Sequence, residues 1–262
     1  MKKGIYLTTI TIITIICIIG GSVIHFGNIF SDFPIKFINS QIVRTDDTSS
    51  TTKENSSLNL GEFDNIVVDV DVADIIISHG KDYTIAYEAT RTVVPKCKVK
   101  NRTLYIEQNV QHRLWGGVGT QNRNCKITIT IPENATLADI DLDSAVGDIS
   151  IDSITADSLT TDTAVGDTKI KDCTIESIEN DGDVGDITIS NCSFNDLDSD
   201  NSVGDINVSS AKDLSDYDID LDTDIGDVSV NDRRCRHSFS QNGSSGCSVT
   251  LDNSTGDITL TY

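Results

Sequence analysis

Apolar and polar residues alternate with a period of two along most of the chain after residue 62. The segment FDNIVVDVDVADIIIS, which begins at Phe63, shows this alternation. Such a pattern is typical of β-strands that bury one face. No window after residue 31 shows the 3.6-residue period of an amphipathic helix. The pattern therefore predicts an all-β domain.

Six copies of a Gly-Asp dipeptide divide the alternating region into units of similar length. The first four glycines are 19 residues apart, and each belongs to a wider D-x-x-[VIT]-G-D pattern. The copies read DSAVGD from Asp143, DTAVGD from Asp162, DGDVGD from Asp181, DNSVGD from Asp200, DTDIGD from Asp222 and DNSTGD from Asp252. Repetition at a constant spacing indicates a stacked repeat architecture.

Equivalent positions of the units carry equivalent apolar side chains. Ile or Val mostly stands two and four residues after each glycine, and Val precedes the glycine in the regular units. The position seven residues after the glycine holds Ile154, Cys173, Cys192 or Ala211. We expect these positions to stack into columns of one continuous core. The pattern predicts a single-stranded parallel β-solenoid with rungs of about 19 residues, since an antiparallel sandwich would not need such phasing.

A degenerate copy of the unit extends the predicted solenoid toward the N-terminus. Ala73-Asp74 stands where the other copies have Gly-Asp, and Ile occupies both of the apolar positions that follow. The solenoid is therefore predicted to begin near Phe63, to be interrupted between about residues 90 and 125, and to continue to residue 262. In each unit the glycine is expected at a corner that needs positive φ or close backbone approach.

The N-terminal segment differs from the repeat region. Lys2 and Lys3 precede an uncharged stretch over residues 4–31, which is long enough to cross a bilayer as one helix. The positive flank predicts a cytoplasmic N-terminus and an extracytoplasmic C-terminal domain. The alternative is a signal peptide cleaved near Gly20 to Ser22. The predicted organisation is a single-pass cell-membrane anchor at 1–31, a Ser/Thr-rich flexible linker at 32–57 and the β-solenoid domain at 58–262.

Charge is abundant and unevenly distributed. The net charge of −21 argues against a nucleic-acid binder, because phosphate contacts need a basic face. Residues 91–126 contain eight Lys or Arg against Glu107 alone, whereas residues 127–232 contain 27 acidic residues against three Lys. This segregation could attract an unknown envelope protein or an anionic envelope polymer, or allow self-association head to tail. Charge runs of this kind are usually solvated faces that have no partner.

Stacking of the units would align two columns of aspartates. One column contains residues 143, 162, 181, 200, 222 and 252, and the other contains residues 148, 167, 186, 205, 227 and 257. We expect the Asp after each glycine to accept hydrogen bonds from turn N–H groups. Calcium is the alternative, because a cation would relieve the repulsion between carboxylates one rung apart. The chain has neither the nonapeptide motif of calcium β-rolls nor an EF-hand loop, so no metal site is predicted.

Six cysteines follow the predicted anchor. Cys173 and Cys192 are 19 residues apart and therefore occupy equivalent positions of adjacent rungs, where they could form a disulfide or remain reduced in an apolar column. Two further pairs bracket the irregular segments and could each link the ends of a loop, namely Cys97 with Cys125 and Cys235 with Cys247. No spacing of Cys and His suggests zinc.

Catalytic chemistry finds little support in the sequence. His79, His112 and His237 lie in or beside irregular segments, with no nucleophile motif near them. Acidic pairs recur in every unit, so no single pair stands out as an acid and a base. Trp115, the only Trp, lies in a Gly-rich stretch and could contact a partner or pack over the solenoid end. We therefore predict no enzyme, no catalytic residue and no cofactor.

The repeated V-G-D-I turns resemble those of a known bacterial family. Val146 to Ile149, Val184 to Ile187 and Val203 to Ile206 match the pattern, and the resemblance covers about residues 60–262. The chain resembles the bacterial putative-adhesin β-solenoid family of unknown function, which occurs in many Gram-positive envelopes. The resemblance implies a β-solenoid without catalytic residues, and some members belong to operons that answer envelope stress.

Three functional hypotheses follow from the sequence. The first is a membrane-anchored, extracytoplasmic binding or adhesion module of the bacterial cell envelope. The second is an accessory or modulatory protein of an envelope stress-sensing system. The third is a polysaccharide-acting β-helix enzyme, which would require basic residues on the rungs, where only Lys169, Lys171 and Lys212 are present.

Overall fold

The computed structural model describes residues 53–90, 92–108 and 124–262. The predicted anchor and most of the predicted linker lie outside these ranges, as do His112 and Trp115. In the described ranges all regular structure is β, with 21 strands arranged in one eleven-stranded and one ten-stranded sheet. This confirms the all-β prediction. No helix within these ranges has the length and hydropathy required to span a membrane.

Each regular rung consists of two strands that meet at a Gly-Asp corner. The first strand lies in the ten-stranded sheet and the second lies in the eleven-stranded sheet. The strand pairs are β8 (Leu137–Val146) with β9 (Ile149–Asp152), β10 (Thr155–Val165) with β11 (Thr168–Lys171), β12 (Thr174–Val184) with β13 (Ile187–Cys192), and β14 (Asp196–Val203) with β15 (Ile206–Ser210). Neighbouring rungs are parallel, and Val165 pairs with Val184 in the register expected from a 19-residue repeat.

The N-terminal strands do not stack in sequence order. They are β1 (Lys53–Asn59), β2 (Asn65–Val70), β3 (Asp74–Gly80), β4 (Thr84–Thr90), β5 (Lys96–Lys100), β6 (Thr103–Glu107) and β7 (Cys125–Pro132). The degenerate rung formed by β2 and β3 lies between the β6–β7 pair and the β8–β9 rung. Strand β1 begins at Lys53, inside the segment for which the sequence predicts a linker.

The strands at the C-terminal end also do not stack in sequence order. Its strands are β16 (Asp218–Ile225), β17 (Val228–Val230), β18 (Arg233–Arg236), β19 (Ser238–Gln241), β20 (Ser248–Thr255) and β21 (Ile258–Thr261). The last rung of the sequence, β20 with β21, is inserted between the β14–β15 rung and the β16–β17 rung. Asp252 therefore pairs with both Asp200 and Asp222.

The prediction of a purely parallel solenoid is wrong at both ends, where the sheets are mixed. At one end β4 pairs antiparallel with β1 and β7, and β5 pairs antiparallel with β6. At the other end β19 pairs antiparallel with β16, and β18 with β17. Each regular rung also contributes two strands, one to each sheet, rather than one. The antiparallel strands cover the backbone groups that an inner rung would leave unpaired at an open sheet edge.

The core consists of the apolar columns between the two sheets. Ile151, Ile170 and Ile189 are fully buried, which confirms the column four residues after the glycine. Ala211, in contrast, is exposed, because the chain leaves the regular rung there and Leu214 is buried instead. The valines before the glycines are also not core residues, since the corner directs them outward and leaves 45–47% of their surface exposed.

The corner glycines have the geometry that the repeat predicts. Gly185 has φ of 152°, which strongly favours glycine. A Cβ at Gly185 would overlap the carbonyl oxygen of Gly166 on the preceding rung. Positive φ and close backbone approach therefore both require glycine at this corner.

Candidate functional site

The aspartates that directly follow the glycines form a column along the Gly-Asp corners. Their side chains are hydrogen-bonded to the backbone from rung to rung. The Oδ1 atom of Asp167 accepts a hydrogen bond from the backbone N–H of Asp186 at 3.1 Å, and Oδ1 of Asp186 accepts from Asp205 at 2.9 Å. We call this the corner column, and in spatial order it contains Asp74, Asp148, Asp167, Asp186, Asp205, Asp257 and Asp227. The prediction that these carboxylates cap turn N–H groups is confirmed.

Positive charge is placed within and at the ends of the corner column. Lys169 Nζ lies 3.0 Å from Asp167 Oδ2 in the middle of the column. The hydrogen bond from the Asp186 N–H and the contact with Lys169 lower the pKa of Asp167. Arg234 pairs with Asp227 at one end, and Lys126 occupies the register position beside Asp74 at the other. The corner column is therefore a capped, partly neutralised structural element.

The second aspartate column lies on the outer face of the ten-stranded sheet. Its residues are in register from strand to strand, and it extends further than the sequence indicates because Asp69 and Glu107 continue it. We call this the face column, and it contains Glu107, Asp69, Asp143, Asp162, Asp181, Asp200, Asp252 and Asp222. Lys96 lies beside Glu107 in register and ends the column on that side.

The face column differs from the corner column because the backbone does not use its carboxylates. Within residues 53–90, 92–108 and 124–262, no hydrogen bond or ion pair reaches the side chain of Asp143, Asp162, Asp181 or Asp200. Partial burial, and then the charge of Asp162, raises the pKa of Asp143 to about 6. Burial followed by neighbouring carboxylates also raises the pKa of Asp181. Among the described residues, the charged groups that act on Asp143 and Asp181 are other carboxylates, and no Lys or Arg offsets them.

The whole outer face around this column is acidic. Further outward carboxylates lie on the same strands, and they include Asp139, Asp141, Glu179, Asp196, Asp198, Asp218 and Asp220. The six adjacent strands β8, β10, β12, β14, β20 and β16 contain no Lys or Arg. We call the outer surface of these six strands the acidic face. Basic residues lie instead on β11 of the other sheet and on the edge strands β5 and β18.

An exposed apolar stripe runs along the corner between the two aspartate columns. It contains Val146, Val165, Val184 and Val203 on successive rungs, and Ile225, which is 67% exposed, lies on the far side of Thr255. Sequence periodicity could not assign this stripe to the surface, because the alternation of inward and outward positions breaks at the corner. A row of exposed aliphatic side chains adds apolar contact area beside the acidic face.

The described residues contain no group of three or more His, Cys, Asp or Glu side chains arranged to hold a metal ion. His237 uses its Nδ1 atom in a hydrogen bond with the carbonyl of Gly226 at 2.9 Å, and His79 lies at the end region of β3. His79 is on β3, whereas His237 lies in the turn between β18 and β19, and the hydrogen bonds of the described residues join neither of them to a Ser, Thr or Cys side chain. The geometry of the described residues therefore assembles a charged surface.

A buried polar network, which the repeat pattern did not reveal, supports the Gly-Asp corners from inside. Asn201 donates from Nδ2 to the carbonyl of Gly185 at 3.0 Å, and Asn253 donates to the carbonyl of Gly204 at 2.7 Å. Asn180 is also buried and lies between Thr161 and Ser199. Within the D-x-x-[VIT]-G-D pattern, the recurring Ser, Thr or Asn directly after the first Asp is the sequence signal for part of this network.

Comparison with known proteins gives the following likenesses. No curated protein matches the chain. A putative cell adhesion protein from Clostridium sporogenes is 14% identical with a TM-score of 0.48, over 80% of this chain and 99% of that one. A putative adhesin from Bacteroides fragilis is 18% identical with a TM-score of 0.44, over 80% and 98% of the two chains. A putative lipid binding protein from Parabacteroides distasonis is 15% identical with a TM-score of 0.32, over 81% and 97%.

A family assignment rests on the repeat region itself. The sequence model described as Toastrack DUF4097 matches residues 63–261, which include every regular rung and both exchanged ends. The chain belongs to the Toastrack DUF4097 family.

Proposed function

We propose that the protein is a non-catalytic binding module of the bacterial cell envelope that contacts its partner through the acidic face. The observation that carries this proposal is the difference between the two aspartate columns. Carboxylates of the corner column are bonded to backbone N–H groups, whereas those of Asp143, Asp162 and Asp181 have no such bond. Carboxylates that the fold does not use remain available to a partner.

The charge distribution favours a partner with a basic surface. An anionic polymer would be repelled by the six strands that contain no Lys or Arg, and would be drawn instead to the basic strands β5, β11 and β18. A basic envelope protein would be steered toward the acidic face and would relieve the repulsion within the face column. Of the partners that the sequence allows, an envelope protein is therefore the one that we propose.

The placement of the module at the membrane is part of the proposal. The uncharged stretch over residues 4–31 and the preceding Lys2 and Lys3 support a single-pass anchor with the C-terminal domain outside. A module tethered in this way meets other envelope proteins at high local concentration, so a modest affinity for each partner is sufficient.

The test compares two variants with the same change in charge. The first carries Asp→Asn at residues 143, 162, 181 and 200 of the face column, and the second carries Asp→Asn at residues 148, 167, 186 and 205 of the corner column. The full chain, solubilised in detergent and immobilised, is incubated with an envelope extract. We expect the face variant to lose captured protein at least tenfold and the corner variant to retain it, because Asn keeps a hydrogen-bond acceptor at the corners.

Raising the salt concentration should weaken capture by the unmodified chain and by the corner variant, since exposed charges are screened. Equal capture by both variants would contradict the proposed role of the acidic face. Loss of capture by the corner variant alone would place the binding surface at the corner instead.

A further inference from the structure

Cys173 and Cys192 lie opposite each other on adjacent rungs, at the second corner, where the chain passes from the eleven-stranded sheet to the next rung. Lys171 pairs with Ser190 on one side of the two cysteines, and Thr174 pairs with Ser193 on the other. Both flanking pairs keep the 19-residue register. The two cysteines are therefore held in facing positions by parallel backbone pairing on both sides.

The two thiols are buried on adjacent rungs. Cys173 is 2% exposed and Cys192 is 0% exposed. Cys173 Sγ donates to the carbonyl of Lys171 at 3.1 Å, and Cys192 Sγ donates to that of Ser190 at 3.3 Å. The equivalent positions on the outer sides of the pair hold Ile154 and Ala211, so neither column neighbour is a thiol.

We propose that Cys173 and Cys192 form a disulfide that joins the two rungs in the mature protein. Neighbouring strands of a sheet lie about 4.8 Å apart, which is within the Cα separation of about 4.4–6.8 Å that a disulfide requires. Of the fifteen pairings that six cysteines allow, the strand register places these two cysteines at equivalent positions of adjacent paired rungs.

The oxidant is a disulfide of the thiol–disulfide oxidoreductase class. One cysteine thiolate attacks a sulfur of that disulfide and forms a mixed disulfide, and the second cysteine then attacks the mixed disulfide and expels the oxidant as a dithiol. One S–S bond breaks and one forms, two electrons pass to the oxidant, and the two thiol protons end on its sulfurs.

We expect the disulfide to form before the two rungs pack against each other. The interaction between the two thiols raises the pKa of Cys173 and lowers that of Cys192, whereas burial disfavours the reactive thiolate form of both. Burial also keeps an oxidoreductase from reaching either sulfur. We therefore expect the bond to form during folding outside the cytoplasm, and a domain folded in reducing conditions to oxidise slowly.

The disulfide would reinforce the second corner. This corner has no glycine, and it has no column of aspartates that accept hydrogen bonds from backbone N–H groups. Asp172 and Asn191, which precede the two cysteines, both have φ of 53°, a left-handed conformation that costs energy in residues other than glycine. A disulfide that closes a 19-residue loop reduces the entropy of the unfolded chain and opposes opening of this corner. The inference rests on the proposed extracytoplasmic location only for its oxidant.

The test maps the bond in the full chain recovered from the envelope of a bacterial host. Free thiols are blocked with iodoacetamide in denaturant, and the unreduced protein is digested with a protease that cleaves before Asp. Cleavage at Asp181, Asp183 and Asp186 separates the two cysteines, so a disulfide leaves two peptides linked. We expect the linked pair in the unreduced digest, its loss after reduction, and two separate carbamidomethylated peptides from protein made in a reducing cytoplasm.

A stability measurement gives a second readout in detergent-solubilised full chain. A reductant should lower the Tm of the envelope-derived protein by roughly 5–10 °C. C173V/C192V should remove this reductant-dependent shift, and C235S/C247S should retain it. Carbamidomethyl groups on both Cys173 and Cys192 in the unreduced envelope-derived protein would overturn the proposal. If protease added to intact cells still removed the domain in that case, the proposed location would stand and the disulfide alone would be wrong.

Discussion

Asp186 accepts a hydrogen bond from the backbone N–H of Asp205 through its Oδ1 atom at 2.9 Å, so the carboxylate of one rung caps the corner of the next. The same relationship recurs along the corner column, including the exchanged rungs at the two ends. The repeated Gly-Asp dipeptide is thus explained by two requirements. The glycine permits close approach of two backbones, and the aspartate satisfies an N–H group that this approach leaves unpaired.

Removal of one corner acceptor should destabilise the domain. We expect Asp186→Ala to cost about 0.5–2 kcal/mol in the free energy of unfolding, by analogy with the loss of a helix N-cap. Asp186→Asn should cost less than about 1 kcal/mol, because the amide oxygen remains an acceptor and one negative charge is removed. Urea unfolding followed by circular dichroism measures both values. Asp181→Ala is the matched control in the face column, and a cost equal to that of Asp186→Ala would show that the corner bond contributes nothing.

Substitution of a corner glycine should be far more damaging. Gly185→Ala places a Cβ against the carbonyl oxygen of Gly166 at a φ of 152°, so the two rungs cannot keep their spacing. We expect a loss of at least about 2 kcal/mol or failure to fold. Gly61→Ala is the control, because no atom lies within 4 Å of a Cβ at that position. Similar melting temperatures for the two variants would contradict the close approach at the corner.

The sequence predicted the inner rungs because their columns repeat with a constant period. Ile170 and Ile189 are buried as expected, and the Gly-Asp dipeptides form the corners. The exchange of rungs at the C-terminal end was not predictable, since Asp222 and Asp252 belong to copies of the same pattern and either could pair with Asp200. The choice depends on how the longer segments between the rungs pack, and these segments have no repeat to guide an inference.

The sequence also could not predict that the valines at the corner are exposed, or that the two aspartate columns differ in their hydrogen bonds. A period of two places Val184 on the same face as the buried Asn180, yet the turn before Gly185 directs Val184 to the surface. The sequence showed that both columns are acidic. It could not show that the Asp186 carboxylate is bonded to the backbone whereas that of Asp181 is not, because this depends on hydrogen-bond geometry at each strand end.

The face column should make stability depend on pH in an unusual direction. The raised pKa of Asp143, about 6 in the folded domain, means that protonation favours folding. This contribution is fully present below the unfolded pKa of about 4 and is lost as the pH rises through about 6. Asp167 acts oppositely, but its lowered pKa confines its effect to pH values below about 4. We therefore expect the Tm to rise when the pH is lowered from 7 to 5.

Asp143→Asn should flatten this pH dependence, because the amide does not titrate. Asp157→Asn, at an exposed position outside both columns, is the matched control and should leave the dependence unchanged. Differential scanning calorimetry at constant ionic strength measures the effect. If the Tm of the unmodified chain decreased when the pH was lowered from 7 to 5, the face column would not dominate the pH dependence of stability.

The proposed membrane topology predicts a specific proteolysis result. Protease added to intact cells should remove the β-domain and leave a small membrane-bound stub that contains residues 4–31, because the domain lies outside and the uncharged stretch is protected. Immunoblotting against tags at the two termini detects both products, and a cytoplasmic protein that stays intact serves as the control. Release of a mature protein that begins near Val23 would instead indicate a cleaved signal peptide.

The last prediction concerns calcium and the two aspartate columns. In the corner column one oxygen of each bonded carboxylate already accepts a backbone N–H, and Lys169 and Arg234 supply positive charge. In the face column the carboxylates lie one rung apart, and the described residues contain no group of three or more His, Cys, Asp or Glu side chains arranged to hold a metal ion, whereas calcium takes six to eight oxygen ligands. We therefore expect millimolar calcium to raise the Tm no more than magnesium at the same concentration, because both ions act by screening. A specific site would instead stabilise the domain by about 2.7 kcal/mol at a calcium concentration 100 times the Kd. A rise in Tm that calcium alone produces, that EDTA reverses and that Asp181→Asn reduces would make the face column a calcium site.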